Sequence, residues 1–160
     1  MKSVLAICVL AAASASVLVA GGQPDFSGTW ELDPLISRFN QKLPAPKSRT
    51  LVIEHHEPKL HIEIKTETKG GTRDDQVFDL TTDGTEVKHN NSDGSSAGSV
   101  VWGDIDGTRL VLTITQQLSG GTVVTRRVMK LGGQGKMLTT VLTVQSPSGK
   151  QNADEFYVRH

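Results

Sequence analysis

From Phe26 onward, apolar and polar residues alternate with a period of two over most of the chain. Leu60, Ile62 and Ile64 interleave with His61, Glu63 and Lys65. Leu110, Leu112 and Ile114 interleave with Val111, Thr113 and Thr115, and Leu138, Leu142 and Val144 keep one phase. Alternation of this kind turns one face of an extended strand to a core and the other to water, so it predicts half-buried antiparallel strands. Strands are expected near 26–33, 50–56, 59–67, 74–82, 85–90, 98–104, 108–117, 122–131, 137–146 and 152–159. Glu57-Pro58, Asp83-Gly84, Asp106-Gly107, Gly120-Gly121 and Ser148-Gly149 fall between these runs as turn signals. About ten strands joined by short turns point to an all-β fold, an up-and-down antiparallel β-barrel.

Three segments break the alternation. Pro34 to Phe39, capped by Asp33 with Pro34 at the first helical position, predicts one short helix after the first strand, lying across a barrel mouth. Leu43-Pro44-Ala45-Pro46 follows as an extended connector. Asn90 to Ser99 is rich in Asn, Ser and Gly and reads as a mobile loop.

The N-terminus changes the picture of where the chain works. Met1-Lys2-Ser3 is a short basic start, Val4 to Ala20 is apolar, and Gly21-Gly22-Gln23-Pro24 follows, so residues 1–22 read as a signal peptide and 24–160 as one exported domain, periplasmic or secreted. Cys8 is the only cysteine, which leaves the exported domain without a disulfide and dependent on its core. Lys and Arg number 17, as do Asp and Glu, so net charge recruits neither nucleic acid nor an anionic membrane.

Phe26-Ser27-Gly28-Thr29-Trp30-Glu31-Leu32-Asp33 carries a Gly-x-Trp at the opening of the first strand. With the helix, the Pro-rich connector and the string of strand–turn–strand units, it resembles the lipocalin and fatty-acid-binding protein superfamily, the calycins. It is similar also to small secreted bacterial lipocalin-like proteins that open with Phe-Ser-Gly-Thr-Trp. The resemblance implies that Trp30 plugs the closed end of the barrel, that Gly28 admits a neighbouring backbone, and that a basic residue near the end of the barrel, here Arg159, covers Trp30. No helix follows Arg159, which favours the ten-stranded fatty-acid-binding shape. Those proteins hold a carboxylate with an Arg and a Tyr two residues apart on the last strand. Tyr157 and Arg159 have that spacing in the reverse order, but alternation with Phe156 and Val158 predicts that they face outward.

Candidate lumen residues come from strand pairing. A two-residue turn at Gly120-Gly121 would pair Leu110 with Leu131, Leu112 with Met129 and Ile114 with Arg127. Arg127 then shares the inward face with Leu112, Ile114 and Met129. A buried guanidinium there needs an anionic partner, from a ligand carboxylate or a wall residue such as Asp79, and a one-residue change of turn moves it to solvent. A three-residue turn ending at Gly107 would pair Trp102 with Leu110 and Val100 with Leu112, aiming the Trp102 indole into the lumen and burying its large apolar surface.

Other candidate chemistry is thin. His55, His56 and His61 flank the Glu57-Pro58 turn with Glu57 and Glu63 nearby, but zinc needs three or four converging ligands and a solvated hairpin face accounts for the pattern. Asp104-Ile105-Asp106-Gly107 opens like a calcium loop, yet its twelfth position is Thr115 where a Glu is required. The P-loop and the His-Glu-x-x-His helix are missing from the sequence. The expected function is therefore a monomeric barrel, not an enzyme and without a cofactor. It binds a small apolar or fatty-acid-like molecule as a carrier or scavenger, with no nucleic-acid partner and no stable membrane insertion once the signal is removed. The rival reading is a cell-envelope module with a filled barrel, and a third is a barrel enzyme.

Overall fold

The computed structural model describes residues 22–91, 94–103 and 107–160. All but the last residue of the expected signal peptide, and Asp104 and Asp106 of the expected turn, lie outside the described residues.

The strands are β1 (Gly28–Leu32), β2 (Ser48–His56), β3 (Lys59–Glu67), β4 (Arg73–Thr81), β5 (Val87–Asn91), β6 (Gly94–Gly103), β7 (Arg109–Leu118), β8 (Gly121–Gly132), β9 (Met137–Ser146) and β10 (Gly149–Arg159). They form one antiparallel sheet in the order β4-β3-β2-β1-β10-β9-β8-β7-β6-β5. Pairing of β1 with β10 curls the sheet into a nearly closed barrel, leaving only β4 and β5 unpaired with each other.

Side chains close that seam. Phe78 and Leu80 of β4 pack onto Gly98 of β6, where a Cβ would stand 2.8 Å from the Phe78 ring. The Gly84 N–H also donates to the Val100 carbonyl at 3.0 Å. This explains why the expected loop at 90–99 is instead strand from Gly94 onward. Residues too small to form a core of their own are what lets β4 approach, and Ala97, Gly98 and Ser99 pair with Thr115, Ile114 and Thr113 of β7. Gly98→Val is expected to cost about 1 to 3 kcal/mol by overpacking this seam. A urea unfolding midpoint at the wild-type value would contradict the close approach.

The helix expected over Pro34–Phe39 is absent. Asp33 accepts from the Leu35 N–H at 2.9 Å, a single turn follows, and Arg38 is then captured by a backbone bridge to Asp154 of β10. Leu35 is 92% exposed and Ile36 46%, so Phe39 alone of the segment's large apolar side chains reaches the core, too little to offset the nucleation cost of so short a helix.

The β7–β8 turn also differs from expectation. Its two loop residues are Ser119 and Gly120, and Leu118 pairs with Gly121. Gly121 opens β8 at φ 115°, with Pro147 packed where a side chain would project. The register therefore moves by two residues, pairing Leu110 with Met129, Leu112 with Arg127 and Ile114 with Thr125. A shift of two preserves which residues face inward.

Candidate ligand site in the barrel lumen

One end of the barrel is sealed. Trp30 is fully buried, and its indole N–H donates to the Phe26 carbonyl at 3.0 Å. The Arg159 guanidinium lies 4.6 Å from the centre of the Trp30 ring and donates to the Ser27 carbonyl at 2.7 Å. Gly28 makes room, at φ 142°, because a Cβ would sit 3.1 Å from Arg159 Nε. Trp102 pairs with Leu110, the register of a three-residue turn, and Gly107 has φ 61°. Its ring, half-buried, stacks near Phe26 and His55, and its N–H donates to Glu57 at 2.7 Å. Trp102 is thus on the inward face but belongs to the plug.

The histidines around the Glu57-Pro58 turn do not converge. His55 is buried in the plug, accepting from the Phe26 N–H at Nδ1 and bonding Glu57 through Nε2 at 3.1 Å. His61 faces outward and bonds Asp79 at 2.7 Å. Asp79 is therefore on the outer wall, and the partner of Arg127 is another residue.

That partner is Glu155. Strand pairing lays inward residues in rows across the wall. Leu112, Arg127, Leu142 and Ala153 form one; Leu110, Met129, Thr140 and Glu155 form the next; Leu138 and Tyr157 continue toward the plug. Arg127 is 5% exposed and Glu155 0%. Arg127 Nη1 donates to Glu155 Oε2 at 2.5 Å, and the Tyr157 hydroxyl donates to the same oxygen at 2.8 Å. From β2, Arg49 reaches Glu155 Oε1 with Nη1 while its Nε donates to Thr66 at 3.0 Å.

Tyr157 therefore faces the lumen, which corrects the outward orientation expected for it. The alternation of Phe156 and Val158 misled because both apolar residues lie on the outer wall, where Val158 is exposed. A signal was present in the chain. Residues two apart on a strand share a face, so an Arg159 that covers Trp30 carries Tyr157 and Glu155 inward with it. Arg49 is likewise in phase with Leu51 and Ile53, and Thr140 with Leu138 and Leu142.

Burial by itself pushes the Glu155 carboxyl up, but the Arg127 and Arg49 guanidiniums and the Tyr157 hydroxyl outweigh it and hold the carboxyl below the ordinary Glu range. Burial and the adjacent carboxylate push the Tyr157 phenol up, so it stays a neutral donor. The cluster thus sets two guanidiniums against one carboxylate, a surplus of one positive charge. Two buried polar atoms beside it have no partner, Arg127 Nε and Thr140 Oγ1. Buried polar groups are rarely left so.

Beyond the Arg127 row lie Ile114, Thr125, Val144 and Gln151, and of these Thr125, Val144 and Gln151 are half-exposed. Leu112, Ile114 and Met129 stand buried around Arg127 as an apolar wall.

No protein-family model matches the sequence, and no curated protein matches it. Among solved structures, the zebrafish ileal bile acid-binding protein complexed with cholic acid aligns over 84% of this chain and 98% of its own, with a TM-score of 0.51 and 11% identity. At that identity the likeness concerns the fold alone: an all-β barrel of ten antiparallel strands, nearly closed.

Proposed function

We propose that this chain is an exported, monomeric barrel that binds a small amphipathic anion in its lumen, as a carrier or scavenger. The observation that carries the reading is the surplus positive charge at Arg49, Arg127 and Glu155, with Arg127 Nε and Thr140 Oγ1 left unpartnered beside it. An anionic head group would accept from both atoms and neutralise the surplus, while its apolar part lies against Leu112 and Ile114 toward the mouth. The fold likeness to a bile-acid-binding protein supports the ligand class, and the Phe26–Asp33 opening supports kinship with bacterial lipocalin-like proteins. Export is supported by the leader at 1–22. Binding suits the cluster better than catalysis, because a carboxylate clamped between two guanidiniums is poorly placed to move protons.

A fluorescent fatty-acid analogue should bind with micromolar or better affinity and be displaced by oleate. Arg127→Leu should weaken the acid by about tenfold or more while changing the matching alcohol far less, since a hydrogen bond to a charged group contributes about 1.5 to 3 kcal/mol. Equal losses for acid and alcohol would remove Arg127 from the site. The filled closed-end half, from Phe26 and Trp30 to Leu60, Phe78 and Leu138, favours a second reading, a structural envelope module. Absence of any binding by the wild-type protein would select it.

A further inference from the structure

The charges that face the lumen limit how much negative charge an occupant can bring. Among the described residues, the charged side chains on the inward faces of the strands, apart from the plug, are Arg49, Asp74, Arg127 and Glu155. Asp74 stands in the row of Arg49 and Thr66 but is exposed, and it accepts from the Gln76 amide at 3.4 Å, so water screens it from the others. Tyr157 is the remaining titratable group in contact with the cluster, and burial keeps it neutral. Arg127 Nη1 donates to Glu155 Oε2 at 2.5 Å, and Arg49 Nη1 donates to Oε1. Without Glu155 the surplus would be two positive charges; with it, the surplus is one. A buried net charge is costly in either sign, so the favoured occupant brings the total to zero.

The free donors agree with that count. The Tyr157 hydroxyl is committed to Glu155, and Arg49 Nε to Thr66. Arg127 Nε and Thr140 Oγ1 have no partner, and each has one proton to give. Arg127 is 5% exposed and Thr140 1%. They occupy neighbouring inward positions, since Arg127 pairs with Leu142, two residues along β9 from Thr140, and Thr140 pairs with Glu155. Two single donors match the two oxygens of a carboxylate. A phosphate monoester dianion presents three strong acceptor oxygens and one charge too many.

We propose that Glu155 is the specificity-determining residue of the lumen, restricting its occupants to head groups of a single negative charge, such as a carboxylate or sulfonate on an apolar chain. The lumenal reading above is presupposed, and Glu155 narrows it: the carboxylate neutralises one of two guanidiniums and so sets the charge that the occupant must supply.

The test displaces the fluorescent fatty-acid analogue with two competitors that share a decyl chain. Decanesulfonate keeps one negative charge throughout, whereas decyl phosphate passes from one charge to two between about pH 5 and about pH 8, its second ionisation lying at about pH 6. The ratio of the two affinities at each pH cancels changes in the protein that affect both. Glu155 keeps its charge over this range, because its carboxyl is held below the ordinary Glu value. For the wild type the ratio should move against the phosphate by about tenfold or more on raising the pH, since the second charge enters the lumen without a partner. In Glu155→Gln the surplus is two, and the phosphate dianion should match or exceed the sulfonate. If that variant does not fold, Arg49→Gln carries the test from the other side: with no surplus left, decanesulfonate should lose about tenfold or more of its advantage over decanol. Failure of the wild type to take up the analogue, or displacement by neither competitor, would overturn the lumenal reading and this proposal with it. Displacement by both with a ratio level across the pH range, a ratio that Glu155→Gln leaves unchanged, or an intact sulfonate advantage in Arg49→Gln would overturn this proposal alone.

Discussion

Glu155→Gln is expected to destabilise the barrel by about 3 to 5 kcal/mol, the usual consequence of leaving a buried charge without its partner. The substitution preserves shape but turns one accepting oxygen into an NH2 donor and leaves the guanidiniums of Arg49 and Arg127 facing one amide in a lumen where Glu155 is wholly buried. Urea unfolding measures the loss. An anionic ligand that binds between them should restore part of it, by about 2.7 kcal/mol when present at a hundredfold excess over its Kd. A loss below about 1 kcal/mol would mean that the three charges are hydrated rather than desolvated. The same variant isolates a pH dependence. The folded carboxyl lies below its ordinary value of 4.5, so its stabilisation is complete above that pH and is lost as the pH falls toward the folded value. The stability difference between wild type and Glu155→Gln should therefore be constant near neutrality and shrink on acidification below about pH 4.5.

Trp30→Ala is expected to cost about 3 to 5 kcal/mol, as for other large deletions from a packed core. The indole is fully buried, bonds the Phe26 carbonyl and supports the Arg159 guanidinium, so its removal opens a cavity and frees a cation at once. Trp30→Phe should lose far less, because the ring platform remains while one hydrogen bond, contributing about 1 kcal/mol, is removed. Similar losses for Ala and Phe would place the effect in the hydrogen bond rather than in the plug.

Period-two alternation located the strands because burial of one face is a local property, written every second residue. The face of Arg127 came instead from the expected turn at Gly120-Gly121, and it survived because the register moved by two residues rather than one. Alternation failed on β10, where Glu155 and Tyr157 are inward and Phe156 and Val158 outward. A buried ion cluster inverts the polarity on which the pattern depends, and its members Arg49, Arg127 and Glu155 are far apart in the chain.

What the chain determined by itself is the barrel class and most of the strand positions, each resting on neighbours a few residues apart. Only tertiary structure decided that Glu155 lies between two arginines, that Gly98 closes the β4–β6 seam, and that Pro34–Phe39 is drawn to β10 instead of coiling. In each case the deciding partner is brought in by strand pairing across the barrel, and strand register is a collective property that no single segment carries.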